Sequence, residues 1–413
     1  MSDGAAWYRD ATVAQWKVLF AAMLGWALDG MDVMLYAFAL TTVQKEFGFT
    51  SAVAGALASA ALIGSGLGGL LFGHIADRLG RTRALIFSIV AYSIFTAATA
   101  SSSTIGQLFF WRLLVGIGLG GEWAAGSVLV AETWPAEHRG KAIGIVQSGW
   151  AIGYIIAALL AVAVLPHHGW RVLFLFGVAP ALFAVWVWRN IPEPELWTKG
   201  RHDGDRRSVV EELGEVLKPP LLRLTVIASL LSSTLMFAYW GLFTWIPAYL
   251  ARPATAGGAG LTVVHSVWWI VAMQTGAFFG YISFGFFADK IGRRGAFIVF
   301  VLAAAAVVPL YALGARSPLL LLLLGPAVGF FGHGYFSVFG AILAELFPSR
   351  VRGLAQGLCY NVGRSISALA PATIGFIADR RGLGVALACT SVLYIAGALI
   401  MSLLPETRGK SLE

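Results

Sequence analysis

The decapeptide FGHIADRLGR at residues 72–81 returns as FGFFADKIGR at residues 284–293, 212 positions later. Outward from this pair the echo continues. Glu132, Pro135, Arg139 and Gly140 recur 213 positions on as Glu345, Pro348, Arg352 and Gly353, and Pro192-Glu193 recurs as Pro405-Glu406. One folding unit has been duplicated in tandem, so both halves must share an architecture.

The residues around the repeats define that unit. Of 413 residues, 58% are hydrophobic and 12% charged, with a mean hydropathy of +0.78. A soluble domain carries about 25% charged residues, so this chain has too few charges to cover a water-facing surface. Its apolar residues form runs of helical length and not the short alternating segments of an outer-membrane barrel. The runs are 16–40, 51–76, 84–100, 105–131, 142–165 and 170–188, then 221–250, 261–288, 296–314, 318–344, 353–378 and 383–404. The expected fold is an all-α membrane protein with twelve transmembrane helices in two pseudo-symmetric halves. Residues 1–189 and 221–413 form the halves, and the polar stretch 190–220 is a linker between them. The first run holds two aspartates and no small-residue cleavage site precedes it, which argues against a cleaved signal peptide.

The net charge of +8 is not read as a nucleic-acid footprint. With the N-terminus in the cytoplasm, 21 of the 29 Lys and Arg fall on cytoplasmic segments. Lys45, Arg171, Arg252, Arg316, Arg380 and Arg381 fall on the opposite side, and Arg112 and Arg364 lie inside helices. This positive-inside bias places both termini in the cytoplasm of a multi-pass protein of the cell (inner) membrane. Cys359 and Cys389 both sit in apolar runs, so neither a disulfide framework nor a metal site is expected. HExxH, Walker A and GxSxG strings are absent from the sequence, and no enzymatic activity or cofactor is expected.

The segment 73–83 resembles the loop signature of the major facilitator superfamily, and Arg112, Gly116, Gly118 and Gly120 are similar to its fourth-helix pattern RxxxGxGxG. Within it, LDGMD at 28–32, GEW at 121–123, AETWP at 131–135, RNIPEPELW at 189–197, and YNVG followed by ALAP between Tyr360 and Pro371 resemble the sialate/monocarboxylate:proton symporters. The aspartate pair is also shared with aromatic-acid:proton symporters, and PETRGK at 405–410 resembles sugar porters. The resemblance implies a monomeric transporter working by alternating access. Its partners are a small organic anion, the proton and the lipid bilayer.

Ionisable side chains at mid-membrane depth cost several kcal/mol by order of magnitude and call for an explanation. Asp29 and Asp32 in the first helix, Arg112 and Glu122 in the fourth and Arg364 in the eleventh are such groups. Asp29, Asp32 and Tyr36 share a helix face at i, i+3 and i+7. Three acids against two arginines leave one excess negative charge, which protonation of a carboxylate removes. Arginine keeps its proton and offers a carboxylate two parallel donors. The expectation is that Asp29, Asp32 or Glu122 carries a proton while Arg364, with Arg112, holds an anion; internal salt bridges between helices are the alternative.

Around Arg364, Tyr360 and Asn361 lie one turn back on the same helix. Gln147 and Tyr154, Tyr239 and Trp240, Gln274 and His333 complete the candidate substrate contacts, each of which could equally be a polar helix-packing residue. Asp77 with Arg81, Asp289 with Arg293, Glu132 with Arg139, and Glu345 with Arg352 sit at cytoplasmic helix ends. The resemblance implies that they gate the conformational change. The glycines at 64, 66, 68 and 69 lie inside an apolar helix without a preceding strand, so they are read as helix packing and not as a dinucleotide loop.

Overall fold

The computed structural model describes residues 11–134, 136–193, 209–261, 263–314, 317–348 and 351–408. Among them every regular element is helical. The first half contains α1 (Val13–Phe47), α2 (Ser51–Leu79), α3 (Arg81–Thr99), α4 (Ile105–Thr133), α5 (Ala136–Leu175) and α6 (Ala179–Asn190). Within the polar stretch, α7 (Val209–Val216) is a short helix, and the Val216 carbonyl accepts the Thr225 hydroxyl. The second half contains α8 (Leu221–Phe243), α9 (Ile246–Ala251), α10 (Val263–Ile291), α11 (Arg293–Leu313), α12 (Pro318–Gly334), α13 (Phe339–Leu346), α14 (Arg352–Ser367), α15 (Ala370–Arg381), α16 (Leu383–Ala388) and α17 (Thr390–Ser402).

These helices trace twelve crossings, and the differences from the sequence reading have local causes. Thr12, Thr50, Thr104 and Ser317 cap helix starts with their hydroxyls, satisfying backbone N–H groups that have no partner in the first turn. The fifth and sixth crossings run on as one helical stretch and are separated only where Gly169 adopts φ 74°. Four second-half crossings, read from sequence as unbroken runs, are each split in two, as α8/α9, α12/α13, α14/α15 and α16/α17. At two of these breaks Pro247 and Pro371 stand in the first turn of the new helix, where the missing N–H costs nothing. Nine stretches among the described residues are long and apolar enough to cross a membrane, one of them (141–190) holding two crossings. The remaining crossings are α4, which carries Arg112 and Glu122, and the broken pair α14/α15, which carries Arg364.

Small residues bring the helices together. An added Cβ at Gly64 or Gly68 would lie 2.2 and 2.0 Å from the Leu113 and Ile117 carbonyl oxygens of α4, and one at Gly116 would lie 2.0 Å from that of Ala61 in α2. The same device joins α10 to α12, with Gly276 against Pro326 and Gly329 against Met273. Without a hydrophobic drive between helices in lipid, close backbone approach is what holds such pairs. Gly68→Ala is therefore expected to lower thermal stability in detergent by about 1–3 kcal/mol; an unchanged melting temperature would contradict the packing account.

The Pro-Glu repeat also acquires a role. Glu193 accepts the backbone N–H groups of Thr82 and Arg83, and Glu406 those of Arg293 and Arg294, so the end of each half's last helix caps the start of its third. Partial burial alone would push the Glu406 carboxyl up, but the N–H groups of Arg408, Arg293, Arg294 and Thr407 hold it below the usual carboxylate range. Between the halves, α2 packs on α15 and α5 on α10.

Candidate functional site

A small cavity lies between the halves. From the first half it is lined by Val33, Met34, Tyr36 and Ala37 of α1, Ala58, Ala61, Leu62 and Ser65 of α2, and Arg112 and Leu119 of α4. The second half contributes Trp240 of α8, Thr244 at the α8/α9 break and Arg364 of α14. Each half therefore supplies one guanidinium to a wall that is otherwise mostly apolar.

Arg112 is only 2% exposed, and its Nε and one terminal nitrogen have no hydrogen-bond partner. Its Cζ sits 4.6 Å from the centre of the Tyr36 ring, a cation–π contact, while the Tyr36 hydroxyl donates to the Ala54 carbonyl at 2.8 Å. Asp32 is fully buried, accepts the Thr96 hydroxyl at 2.8 Å and is in electrostatic reach of Arg112. Asp29 is buried too, and its charged neighbours are Glu122 and Arg364 ahead of Asp32. Glu122 is 3% exposed with neither oxygen bonded. The five ionisable groups singled out by depth thus form one cluster spanning both halves.

Two glycines make this cluster possible, and sequence reading passed over both. An added Cβ at Gly25, one turn before Asp29, would lie 2.3 Å from Glu122 Oε1, so the missing side chain is what lets Glu122 reach the Asp29 face. A Cβ at Gly177 would strike Thr96 and approach Asp32. Thr96 itself carries no depth or charge signal that could have marked it.

The other candidate contacts are placed unevenly. Tyr36 and Trp240 line the cavity, and Trp240 continues an aromatic ladder through Trp150 (centres 5.9 Å apart) to Trp26 (4.9 Å). Tyr360 is in electrostatic reach of Arg364 and Asp29. Asn361 donates to the Gly357 carbonyl and Gln147 to the Phe336 carbonyl. Gln274 and His333 are fully buried away from the cavity wall, His333 among Tyr239, Phe243 and Tyr281. Tyr154 donates to the Phe243 carbonyl at 3.0 Å, joining α5 to α8.

Of the cytoplasmic-loop groups, Arg293 pairs with Asp289 at 3.1 Å and with Glu345 at 3.4 Å, and Glu345 also accepts the Thr407 hydroxyl at 2.6 Å. Arg352 donates to the Phe347 carbonyl, and Arg81 opens α3. The side chains of Asp77, Glu132 and Arg139 lie outside the described residues.

Comparison with known proteins adds to this geometry. The family model of the Major Facilitator Superfamily matches residues 22–283 and 255–413. The chain is 33% identical over 399 residues to the cis,cis-muconate transport protein of Acinetobacter baylyi, covering 94% of each chain. It is 30% identical over 397 residues to the sialic acid transporter NanX of Escherichia coli, covering 96% of this chain and 95% of the relative. The crystal structure of a D-xylose-proton symporter superposes with a TM-score of 0.78 at 20% identity, covering 97% of this chain and all of the other, which speaks to fold alone. Duplicated six-helix halves, a central cavity bearing charge from both, and a family match over nearly the whole length converge: the chain belongs to the Major Facilitator Superfamily and is a multi-pass membrane transporter.

Proposed function

We propose that this transporter is a proton-coupled symporter that imports a small organic anion across the inner membrane by alternating access, with both termini cytoplasmic and the monomer as the working unit. The observation that carries the reading is the central cavity, in which two fixed cations face a mostly apolar space while three acids stand behind them. An anion entering such a site meets bidentate donors, and the acids supply a place for the accompanying proton. In this reading Arg364 is the anion receptor, Tyr36, Trp240, Tyr360 and Asn361 shape its surroundings, and Asp29, Asp32 and Glu122 hold the proton. Gln147, Gln274 and His333 would act from outside the cavity wall. Asp77, Arg81, Asp289, Arg293, Glu132, Arg139, Glu345 and Arg352 serve conformational exchange.

The cavity lining also bears on the substrate's body. Two of its hydroxyls are already engaged, Tyr36 with the Ala54 carbonyl and Ser65 with the Leu62 carbonyl, which leaves few neutral groups to bind a polyol. Val33, Met34, Leu62, Leu119 and Trp240 instead suit an apolar or flat body. This favours a compact monocarboxylate or an unsaturated or aromatic acid over a sugar acid or a neutral sugar. Similarity to a muconate transport protein agrees with that preference, whereas similarity to a sialic acid transporter supports the sugar-acid reading.

Counterflow in proteoliposomes decides between them. Unlabelled monocarboxylates or aromatic acids loaded inside should draw labelled acid of their own class inward, while sialic acid and neutral sugars loaded inside should not. Counterflow with sugar acids alone would overturn the preference, and absence of any net accumulation would point to a receptor built on a transporter scaffold.

A further inference from the structure

The loop phrase that reveals the duplication occurs a third time. GHIADRLG at 73–80 and GFFADKIG at 285–292 are joined by GFIADRRG at 375–382. All three close on a glycine in a backbone conformation that other residues rarely adopt: Gly80 at φ 118°, Gly292 at φ 92° and Gly382 at φ 82°, each with ψ 156°. The first two copies lie at the end of the bundle that holds the termini. The third forms the end of α15 and lies at the opposite end.

There Asp379 reaches across to the other half. Its carboxylate accepts the backbone N–H groups of Ser51 at 3.0 Å and Ala52 at 2.9 Å, the first two residues of α2. Those donors have no partner within the helix, and a negative charge is favoured at a helix start. Beside it, Arg252 donates to Gln44 Oε1 at 2.8 Å and to the Ser51 hydroxyl at 3.0 Å, again from the second half to the first. Glycines allow the approach: an added Cβ at Gly55 would lie 2.2 Å from the Pro371 carbonyl oxygen, and one at Gly375 would lie 2.2 Å from that of Ser51. Trp245 stiffens this corner by donating to the Pro371 carbonyl at 3.0 Å, which ties the α8/α9 break to the start of α15.

We propose that Asp379 and Arg252 form a gate that holds the end of the bundle away from the termini shut in this conformation, and that admitting substrate from that end requires both contacts to break. The chemistry suits a reversible latch. On opening, Asp379, Arg252 and the two N–H groups all pass to water, which satisfies them in turn, so the closed state is favoured by a small net margin and not locked. Opening the halves here also separates Gly55 from Pro371 and Gly375 from Ser51, so the gate and the helix contact part as one unit.

The test uses the full-length protein with Cys359→Ala and Cys389→Ala and spin labels at Lys45→Cys and Arg381→Cys, exposed positions on opposite halves at this end. Pulsed electron–electron distance measurements in lipid nanodiscs should show Asp379→Asn and Arg252→Gln each enlarging a longer-distance population severalfold. Asp379→Glu, which keeps the charge, should lie between wild type and Asp379→Asn. An unchanged distance distribution in Asp379→Asn would overturn the gate. If Asp379→Asn does not fold, as judged by gel filtration, Arg252→Gln breaks the second contact independently and decides the matter by the same criterion. The readout needs no substrate or proton gradient, so its outcome is separate from that of the transport reading.

Discussion

Arg364→Ala should weaken substrate binding on the order of a hundredfold, the loss expected when one member of a poorly hydrated charge pair is removed. Arg364 stands where α14 meets the cavity, opposite the first-half wall formed by Tyr36 and Arg112. The side chain is partly buried, so its interaction with an anion is screened less than one at the surface. Arg364→Lys separates charge from geometry. It retains the cation but loses the planar fork, and should recover only part of the affinity. Asp29 offers a second discrimination because it is the acid in electrostatic reach of Arg364. If Arg364 merely balanced Asp29, the double variant Arg364→Ala with Asp29→Asn would regain wild-type binding; if Arg364 holds the anion, the double variant stays weak. Equilibrium binding on purified, monodisperse protein measures all three. Wild-type affinity in Arg364→Ala would remove the residue from the binding site.

Much of this arrangement could be read from the chain. Run length and the internal repeat are local or periodic signals, and they led to twelve crossings in two halves. Depth did similar service for the site, because a charge near the middle of an apolar run is costly wherever the helix packs, so Asp29, Asp32, Arg112, Glu122 and Arg364 had to be together or paired. What could not be read depends on which helix faces which. Pro371 marks a possible start as readily as a kink, and only the placement of α15 against α2 shows that a new helix begins there. Gly25 is one glycine among many until Glu122 is seen lying over it. Asp379 has the same sequence context as Asp77 and Asp289, yet its partners, the first N–H groups of α2, are more than 300 residues away. Asp29 and Asp32 share a helix face by spacing, yet their partners differ. Asp32 has Thr96 and Arg112 for company, while Glu122 and Arg364 act on Asp29 more strongly than Asp32 does.

That difference sharpens the second large effect, which concerns the proton. Asp32 has a hydroxyl donor and a guanidinium beside it. Asp29 and Glu122 are in electrostatic reach of one another, and Glu122 has the Tyr92 hydroxyl beside it. Two acids sharing a site of low dielectric do not both ionise readily near neutral pH, so the pair is expected to hold a proton between them and to titrate as a unit. On the proposed mechanism, proton arrival would cancel the excess negative charge and let an anion settle on Arg364. In the proposed mechanism the site without proton and anion stays charged, which disfavours its passage between conformations, and that coupling would make the transport symport. Replacing the proton carrier by its amide should abolish uphill uptake driven by a pH gradient while leaving exchange at equal substrate concentrations intact, because exchange requires no proton turnover. Asp29→Asn and Glu122→Gln are expected to show this split. Asp32→Asn should instead disturb the charge balance around Arg112 and depress both activities. Measuring pH-driven accumulation beside exchange for the three variants distinguishes the roles: accumulation lost with exchange kept identifies the carrier, whereas wild-type accumulation in all three would leave the acid cluster without a part in proton coupling.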